Sequence, residues 1–290
     1  MEFLRPANLA EALAMKAECP DAVPIAGGTD VMVELNFGHR RPVALLDLAG
    51  VGELAQWSRS AGRIMLGAGV PYARLISELG TELPGLAMAS RTVGSPQIRN
   101  RGTVGGNLGA ASPAGDTHPV LLACDAVVEL TSVRGSRRVP AEEFYLGVKR
   151  NAAEPDELIT AVFVPLATGP QQFSKIGTRN AMVIAVCSFG LALHPEEQRV
   201  GAAVGSAAPT PRHATVAERF AAAELPWESR VPLPETVSHR FGQLVAEAAA
   251  PIDDVRGSGD YRRHALAVMA GRALGWAWRD YRGGRDRQCA

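Results

Sequence analysis

Two glycine-bearing segments place the strongest constraint on how this chain folds. The first, Ala26-Gly27-Gly28-Thr29-Asp30, follows a short apolar run, residues 22–25, that predicts a strand. The second, Thr103-Val104-Gly105-Gly106-Asn107, follows a polar stretch at residues 97–102. Paired glycines let backbone N–H groups approach a ligand closely, because no Cβ intervenes and positive φ is accessible. Successive N–H groups in such a turn form an anion-binding concavity. Together the segments predict a pyrophosphate held from two sides.

Each segment taken alone is also compatible with an ordinary strand-to-helix turn. Neither is a Rossmann fingerprint, and the one partial match, Gly67-Ala68-Gly69, has Tyr72 where the third glycine belongs and is interrupted by Pro71. The sequence also contains no G-x-x-x-x-G-K-[ST] motif, which disfavours ATP hydrolysis. A dinucleotide is the natural ligand for paired segments of this kind, although neither segment carries the Rossmann fingerprint.

Polar side chains near the glycines fit a sugar-linked pyrophosphate. Thr29, Thr103 and Asn107 can donate hydrogen bonds to phosphate oxygens, whereas Asp116 is an acceptor suited to a ribose or ribityl hydroxyl. Asp is also a common N-cap residue, so Asp116 could instead cap the helix that follows it. The residues leave both roles open.

Composition narrows the class of protein. The 290 residues include 30 basic and 30 acidic side chains, so bulk charge disfavours a nucleic-acid partner. The N-terminus lacks a secretory signal, and the longest apolar stretch, residues 181–193, is too short to span a bilayer and predicts a buried strand. These features predict a cytoplasmic protein without a membrane span.

Titratable side chains show no metal or catalytic pattern. The four cysteines (Cys19, Cys124, Cys187 and Cys289) form no C-x-x-C pair, so we expect this chain to hold no zinc or iron–sulfur cluster. The six histidines are scattered and form no H-E-x-x-H motif. We therefore assign no catalytic residue and no metal ligand.

Hydrophobic patterning predicts a mixed α/β region followed by a smaller antiparallel one. A linker at residues 166–172, rich in Gly, Pro and Gln, separates them. The first region is predicted to contain helices at 8–19, 72–79 and 117–123, and strands at 23–26, 43–48, 63–68, 126–131 and 158–164. The second is predicted to contain strands at 173–176, 182–193 and 200–204, helices at 213–223 and 236–250, and a helix from 258 to about 281. Tyr261, Leu266, Met269, Ala273 and Trp276 are predicted to share one side of that last helix, and residues 283–290 to fray.

The string from Ser95 to Asp116, SPQIRNRGTVGGNLGAASPAGD, resembles the FAD-binding subunit of the molybdenum hydroxylases, which include xanthine dehydrogenase and carbon monoxide dehydrogenase. The resemblance runs the length of the chain. It includes IAGGTD at residues 25–30, DELI at 156–159, FSKIGTR at 173–179 and DDVRGSGDYRR at 253–263.

This resemblance implies an α+β protein. Residues 1–168 would form a two-subdomain α/β FAD-binding fold of the vanillyl-alcohol-oxidase-like (PCMH) type, with FAD between the subdomains. Residues 169–285 would form a small α+β domain like the C-terminal domain of the carbon monoxide dehydrogenase flavoprotein. The implied FAD-binding residues are Ile25, Ala26, Gly27, Gly28, Thr29, Asp30, Val31, Gly102, Thr103, Val104, Gly105, Gly106, Asn107, Asp116 and Lys175. Lys175 would lie near the isoalloxazine, although a solvated surface lysine is the alternative.

The implied function is electron transfer within a complex. A large partner would carry the molybdenum cofactor, and a small partner would carry [2Fe-2S] clusters whose electrons reach FAD on this chain and then NAD or another acceptor. We expect a dimer of heterotrimers. Ser112-Pro113-Ala114-Gly115-Asp116 is closer to the xanthine type than to the Asp-Pro-Ala-Ala-Glu of carbon monoxide dehydrogenases. The alternatives are a carbon monoxide dehydrogenase medium subunit, a stand-alone flavin oxidase and a non-catalytic nucleotide-binding module.

Overall fold

The computed structural model describes residues 1–283. The last two residues of the predicted C-terminal domain, Cys289, and all but the first residue of the predicted frayed tail lie outside the described residues. Within residues 1–283, no helix is long and apolar enough to cross a membrane.

The chain begins with a small parallel sheet that positions the first glycine segment. The sheet has the order β1-β3-β2, and its strands alternate with helices. Asn8 caps the first helix, since its Oδ1 accepts from the Glu11 N–H at 2.9 Å. The elements are β1 (Glu2–Leu4), α1 (Leu9–Glu18), β2 (Val23–Ile25), α2 (Val31–Asn36) and β3 (Ala44–Asp47). The first glycine segment therefore connects β2 to α2.

A second layer is a five-stranded antiparallel sheet with several short helices. Its strand order is β4-β5-β10-β6-β7, and β8 and β9 form a separate hairpin. After a 3₁₀ turn at Gly52–Ala55, the elements are β4 (Trp57–Ser60), β5 (Arg63–Gly67), α3 (Tyr72–Glu78), α4 (Pro84–Thr92), α5 (Pro96–Arg101), α6 (Val104–Ala110), α7 (His118–Ala123), β6 (Val127–Ser132), β7 (Gly135–Pro140), α8 (Ala141–Phe144), β8 (Tyr145–Gly147), β9 (Arg150–Asn151) and β10 (Leu158–Pro165). The second glycine segment enters α6.

The C-terminal part is a four-stranded antiparallel sheet, β11-β12-β13-β14, covered by helices. Phe189, Phe241, Leu266 and Trp278 are fully buried between the sheet and its helices. Besides a 3₁₀ turn at Pro195–Glu197, the elements are β11 (Gln171–Ile176), β12 (Cys187–His194), β13 (Arg199–Gly205), β14 (Arg212–His213), α9 (Thr215–Glu224), α10 (Glu235–Ala248) and α11 (Gly259–Gly283).

The predicted fold class is confirmed, with local corrections. The strand predicted at 182–193 begins only at Cys187. Along α11, Tyr261 and Trp276 are 48% and 42% exposed, whereas Ala277 and Trp278 are buried. The predicted side of that helix is therefore wrong for Tyr261 and Trp276, although Leu266, Met269 and Ala273 are buried as predicted. Helices α4, α5 and α6 were not predicted, because α4 and α6 are short and contain Gly, Ser or Thr, and α5 is a six-residue, mostly polar segment.

Helix α7 lies directly on the C-terminal sheet through glycines. An added Cβ on Gly190 of β12 would lie 2.7 Å from the Pro119 carbonyl, and one on Gly201 of β13 would overlap the carbonyl oxygen of Ala123. Only glycine permits this backbone-to-backbone approach. The packing joins the C-terminal sheet to the helix that follows Asp116.

We expect Gly201→Ala to destabilise the protein by about 1–3 kcal/mol, because the new methyl group forces α7 and β13 apart. Urea unfolding measures the change. Gly52→Ala is the control, since nothing lies within 4 Å of its added Cβ. Equal stability of the two variants would contradict this account of the interface.

Candidate functional site

The structure brings the first glycine segment against the backbone of Arg101 and Gly102, immediately before the second segment. An added Cβ on Gly27 would lie 2.9 Å from the backbone nitrogen of Gly102 and would overlap the carbonyl of Arg101. The hydroxyl of Thr29 lies 3.4 Å from the Cβ position of Gly102. Gly27 is therefore required for close approach of the backbones, which the sequence could not show because the segments are distant along the chain.

The first segment presents an array of free backbone donors. Gly28 adopts φ of +73°, a left-handed conformation that favours glycine. Within residues 1–283, none of the N–H groups from Ala26 to Val31 donates a hydrogen bond. Consecutive N–H groups without acceptors in a turn of this kind suit an anion. This part of the sequence prediction matches the observed geometry.

The second segment differs from the predicted turn, because it begins helix α6. The Thr103 hydroxyl caps the helix by accepting from the Gly106 N–H at 2.9 Å, and the Thr103 carbonyl accepts from the Asn107 N–H at 3.0 Å. Gly105 has no positive φ. Its added Cβ would instead lie 2.7 Å from the Cα of Ala68, so a glycine is needed there for packing. The hydrogen of the Thr103 hydroxyl stays available to a ligand.

Both segments line one pocket of about 260 Å³. Arg101, on its wall, forms no ion pair within the described part of the chain, while Arg74 donates to Glu78 and to the carbonyl of Ala55. The lining residues are Ala26, Gly27, Leu48, Ala49, Val51, Ala55, Gly69, Pro71, Arg74, Asn100, Arg101 and Thr103. The sequence prediction missed Gly69, Arg74 and Arg101, although Arg101 stands next to the second segment.

Asp116 is buried near the second glycine segment, and its two carboxylate oxygens differ in their hydrogen-bond partners. Its Oδ2 accepts from the Lys175 ammonium at 2.6 Å and from the Thr92 hydroxyl at 3.0 Å. Its Oδ1 is buried and has no partner among residues 1–283. Burial raises the pKa of the Asp116 carboxyl, and the charge of Lys175 opposes that rise. The helix-cap alternative is wrong, since Thr117 occupies the N-cap position of α7.

Lys175, on β11, is buried rather than solvated. Its side chain is 8% exposed, and its ammonium donates to the Thr92 carbonyl at 3.1 Å as well as to Asp116. The alternative of a surface lysine is therefore wrong. The C-terminal sheet thus supplies the cation that faces a carboxylate from the N-terminal region.

A hydrogen bond connects Thr117, the residue after Asp116, to the second glycine segment. The Thr117 hydroxyl donates to Oδ1 of Asn107 at 2.8 Å, which leaves the amide nitrogen of Asn107 free to donate elsewhere. Tyr72 stands beside them, with its ring 3.4 Å from the Cβ position of Gly102 and its buried hydroxyl without a partner in the described residues. Burial raises the pKa of that hydroxyl. Tyr72 was missed because a tyrosine in a helical pattern resembles a core residue.

His118 and Tyr145 form the inner wall of this cluster. The Tyr145 hydroxyl shares a hydrogen bond of 2.7 Å with Nδ1 of His118. The rest of the imidazole packs against Gly115, whose added Cβ would lie 2.8 Å from Cε1 of His118. Complete burial lowers the pKa of His118 to about 3, so the ring is neutral in the folded protein. It supports the site as a packed, uncharged group.

Two family models match the sequence of this chain. Residues 1–167 match the FAD binding domain in molybdopterin dehydrogenase, and residues 172–277 match the CO dehydrogenase flavoprotein C-terminal domain. The protein is therefore a flavoprotein with an FAD-binding domain. The boundary at residues 168 and 169 stays a prediction.

Relatives that match over nearly their whole length indicate which kind of flavoprotein this is. The chain is 30% identical to the xanthine dehydrogenase FAD-binding subunit of Escherichia coli O157:H7, with 94% of each chain covered. It is also 30% identical to the carbon monoxide dehydrogenase medium chain of Afipia carboxidovorans, covering 94% of this chain and 95% of that one. A crystal structure of the Cu,Mo-CO dehydrogenase matches with a TM-score of 0.87 and 27% identity, covering 97% and 98% of the two chains. The chain belongs to the FAD-binding (medium) subunits of the molybdenum hydroxylase family, which are oxidoreductase subunits.

We expect the free energy of unfolding to decrease as the pH is lowered, because His118 gains a proton in the unfolded chain before it does so in the folded protein. The folded ring binds a proton only near pH 3, whereas an unfolded histidine binds one near pH 6.5. The contribution of His118 is therefore complete above pH 6.5 and is lost as the pH falls from 6.5 towards 3. At pH 5 the loss amounts to about 2 kcal/mol.

Urea unfolding at pH 8 and pH 5 tests this expectation with His118→Asn, which retains a polar group near Nδ1. The variant should lose less stability between the two pH values than the wild type. His264→Asn is the control, because that side chain is exposed on α11 and should leave the wild-type difference unchanged. Identical pH dependence of the wild type and His118→Asn would contradict the assignment.

Proposed function

We propose that this chain is the electron-transfer subunit of a molybdenum hydroxylase that acts on a xanthine-like heteroaromatic substrate. The observation that carries the proposal is the row of free N–H groups from Ala26 to Val31, held against the backbone of Arg101 and Gly102 next to the second glycine segment. A pyrophosphate needs several donors at close range, and this arrangement supplies them.

The residues present fit FAD. The N–H groups of Ala26, Gly27, Gly28, Thr29, Asp30 and Val31 would hold the pyrophosphate, with the hydroxyls of Thr29 and Thr103 and the amide of Asn107 as further donors. Ile25 ends the preceding strand, and we propose that Gly102, Val104, Gly105 and Gly106 shape the backbone on the opposite side of the cofactor. The unpartnered Oδ1 of Asp116 would accept from a ribityl or ribose hydroxyl.

Lys175 would place a positive charge close to the cofactor. Its ammonium has three hydrogens, of which one points to Asp116 and one to the Thr92 carbonyl. A third hydrogen is left for a ligand near the ring. When bound, FAD supplies redox chemistry that exchanges electrons singly or in pairs. The chain's own residues bind the cofactor and set its electrostatic surroundings, and no acid–base residue is required.

Partner chains would complete the pathway. We propose a large subunit with the molybdenum cofactor, where substrate is hydroxylated, and a small subunit with [2Fe-2S] clusters that deliver electrons to this chain. NAD or another acceptor would take the electrons from FAD. The proposed assembly is a cytoplasmic dimer of heterotrimers.

Carbon monoxide is an equally supported substrate of the complex. The relatives named for xanthine and for carbon monoxide show the same 30% identity to this chain. The Ser112-Pro113-Ala114-Gly115-Asp116 segment is our reason to prefer the xanthine type. A stand-alone flavin oxidase is disfavoured because these relatives are subunits or medium chains.

Affinity purification of the chain from its native cells tests the proposal. We expect a visible flavin spectrum, molybdenum, iron and two co-purifying chains, and xanthine-dependent reduction of NAD. Turnover of carbon monoxide without turnover of xanthine would replace the substrate assignment. Flavin without metals or partner chains would favour the stand-alone oxidase, and a colourless chain that binds free nucleotide would favour the non-catalytic module.

We expect Gly27→Ala to weaken FAD binding by about tenfold or more. The added methyl group would push the first segment away from Arg101 and Gly102 and misplace several charge-assisted hydrogen bonds, each of which contributes about 1.5–3 kcal/mol. Titration of the apoprotein with FAD, followed by flavin fluorescence, measures the change.

Gly109→Ala provides the matched control, since its added Cβ meets only Ile159, at an ordinary 3.7 Å. It should bind FAD like the wild type. Wild-type affinity in Gly27→Ala would show that the contact of the first segment with Arg101 and Gly102 does not position the pyrophosphate donors.

A further inference from the structure

The two carboxylate oxygens of Asp116 differ in their hydrogen bonds. Oδ2 accepts two hydrogen bonds, whereas Oδ1, which is buried, accepts none within residues 1–283. A carboxylate rotates readily about its last torsion, because the preferences there are broad and two-fold. Some feature of the protein must therefore select which oxygen faces a ligand.

Thr92, the last residue of α4, touches both members of the Asp116–Lys175 pair. Its hydroxyl oxygen lies 3.0 Å from Oδ2 of Asp116, and its carbonyl oxygen accepts from the Lys175 ammonium at 3.1 Å. The hydroxyl also lies 2.8 Å from the Ala89 carbonyl, so its single hydrogen is shared between two acceptors. The carbonyl end of a helix favours a cation, which places the ammonium well.

These contacts arrive at Oδ2 from different parts of the fold. Thr92 belongs to α4 of the N-terminal region, whereas Lys175 belongs to β11 of the C-terminal sheet. Two donors fixed on separate elements restrict rotation of the carboxylate more than either alone would.

We infer that Thr92 is a positioning residue that orients the Asp116 carboxylate so that Oδ1 is presented to a cofactor hydroxyl. This inference rests on the proposed function. Thr92 acts through Asp116 and Lys175 and is assigned no contact with the cofactor.

A neighbouring hydroxyl in the same helix provides the matched control. Ser90 is fully buried, and its hydroxyl donates to the Leu86 carbonyl at 2.7 Å. Thr92 makes the same kind of bond to its own helix and adds the contact with Asp116. Loss of Ser90 therefore reports what a buried helix hydroxyl contributes without Asp116.

The test compares FAD affinity of the full-length apoprotein for Thr92→Val, Thr92→Ser and Ser90→Ala. We expect Thr92→Val to weaken FAD binding by about fivefold to tenfold, as loss of a hydrogen bond to a charged group does. Thr92→Ser should restore the wild-type affinity, and Ser90→Ala should leave it unchanged. Thermal unfolding of each apoprotein checks that the variants fold.

A double-mutant cycle with Asp116→Asn decides whether Thr92 acts through Asp116. We expect Thr92→Val to add less than twofold to the effect of Asp116→Asn. Wild-type affinity in Thr92→Val, or fully additive effects in the double variant, would overturn the inference while leaving the proposed function intact. A wild-type chain that binds no FAD would overturn the proposed function itself.

Discussion

The buried ion pair between Asp116 and Lys175 is the interaction on which the site depends. Desolvation makes a lone buried charge costly, so each partner requires the other at close range. The carboxylate comes from the segment before α7, and the ammonium comes from β11. The N-terminal region alone would therefore leave Asp116 without its counter-ion. This explains physically why an FAD-binding domain and a separate sheet work as one unit.

Glycine packing sets the geometry that the ion pair requires. Gly190 and Gly201 let α7 rest directly on β12 and β13, so the start of α7 is fixed relative to the C-terminal sheet. On the other side, Gly27 lets the first segment meet the backbone at Gly102. Both contacts bring backbone against backbone, where a single methyl group would force the elements apart. The relative positions of these elements therefore depend on glycines, whose lack of a side chain allows the backbones to touch, as well as on packed side chains.

Sequence reasoning succeeded where a local pattern has one physical meaning. The family, the fold class and the first glycine segment were predicted, because β2 and the following turn are read from neighbouring residues. The second segment was misinterpreted in its conformation, since Thr103-Val104-Gly105-Gly106 begins a helix instead of a positive-φ turn. Adjacent glycines indicate that another group approaches the backbone closely, but they do not show whether that group is a ligand or another part of the protein.

The sequence by itself determined the class of this protein, because ordered motifs spread along the chain specify a flavin-binding fold. It also named Asp116 and Lys175, while leaving open a helix cap for one and a solvated surface position for the other. Only the tertiary structure excluded these two alternatives, since it places the side chains of the two residues 2.6 Å apart and buries both. Tyr72 and Thr92 emerged only there as well. Their importance lies in neighbours distant in sequence, and contacts of that kind are fixed by packing rather than by local pattern.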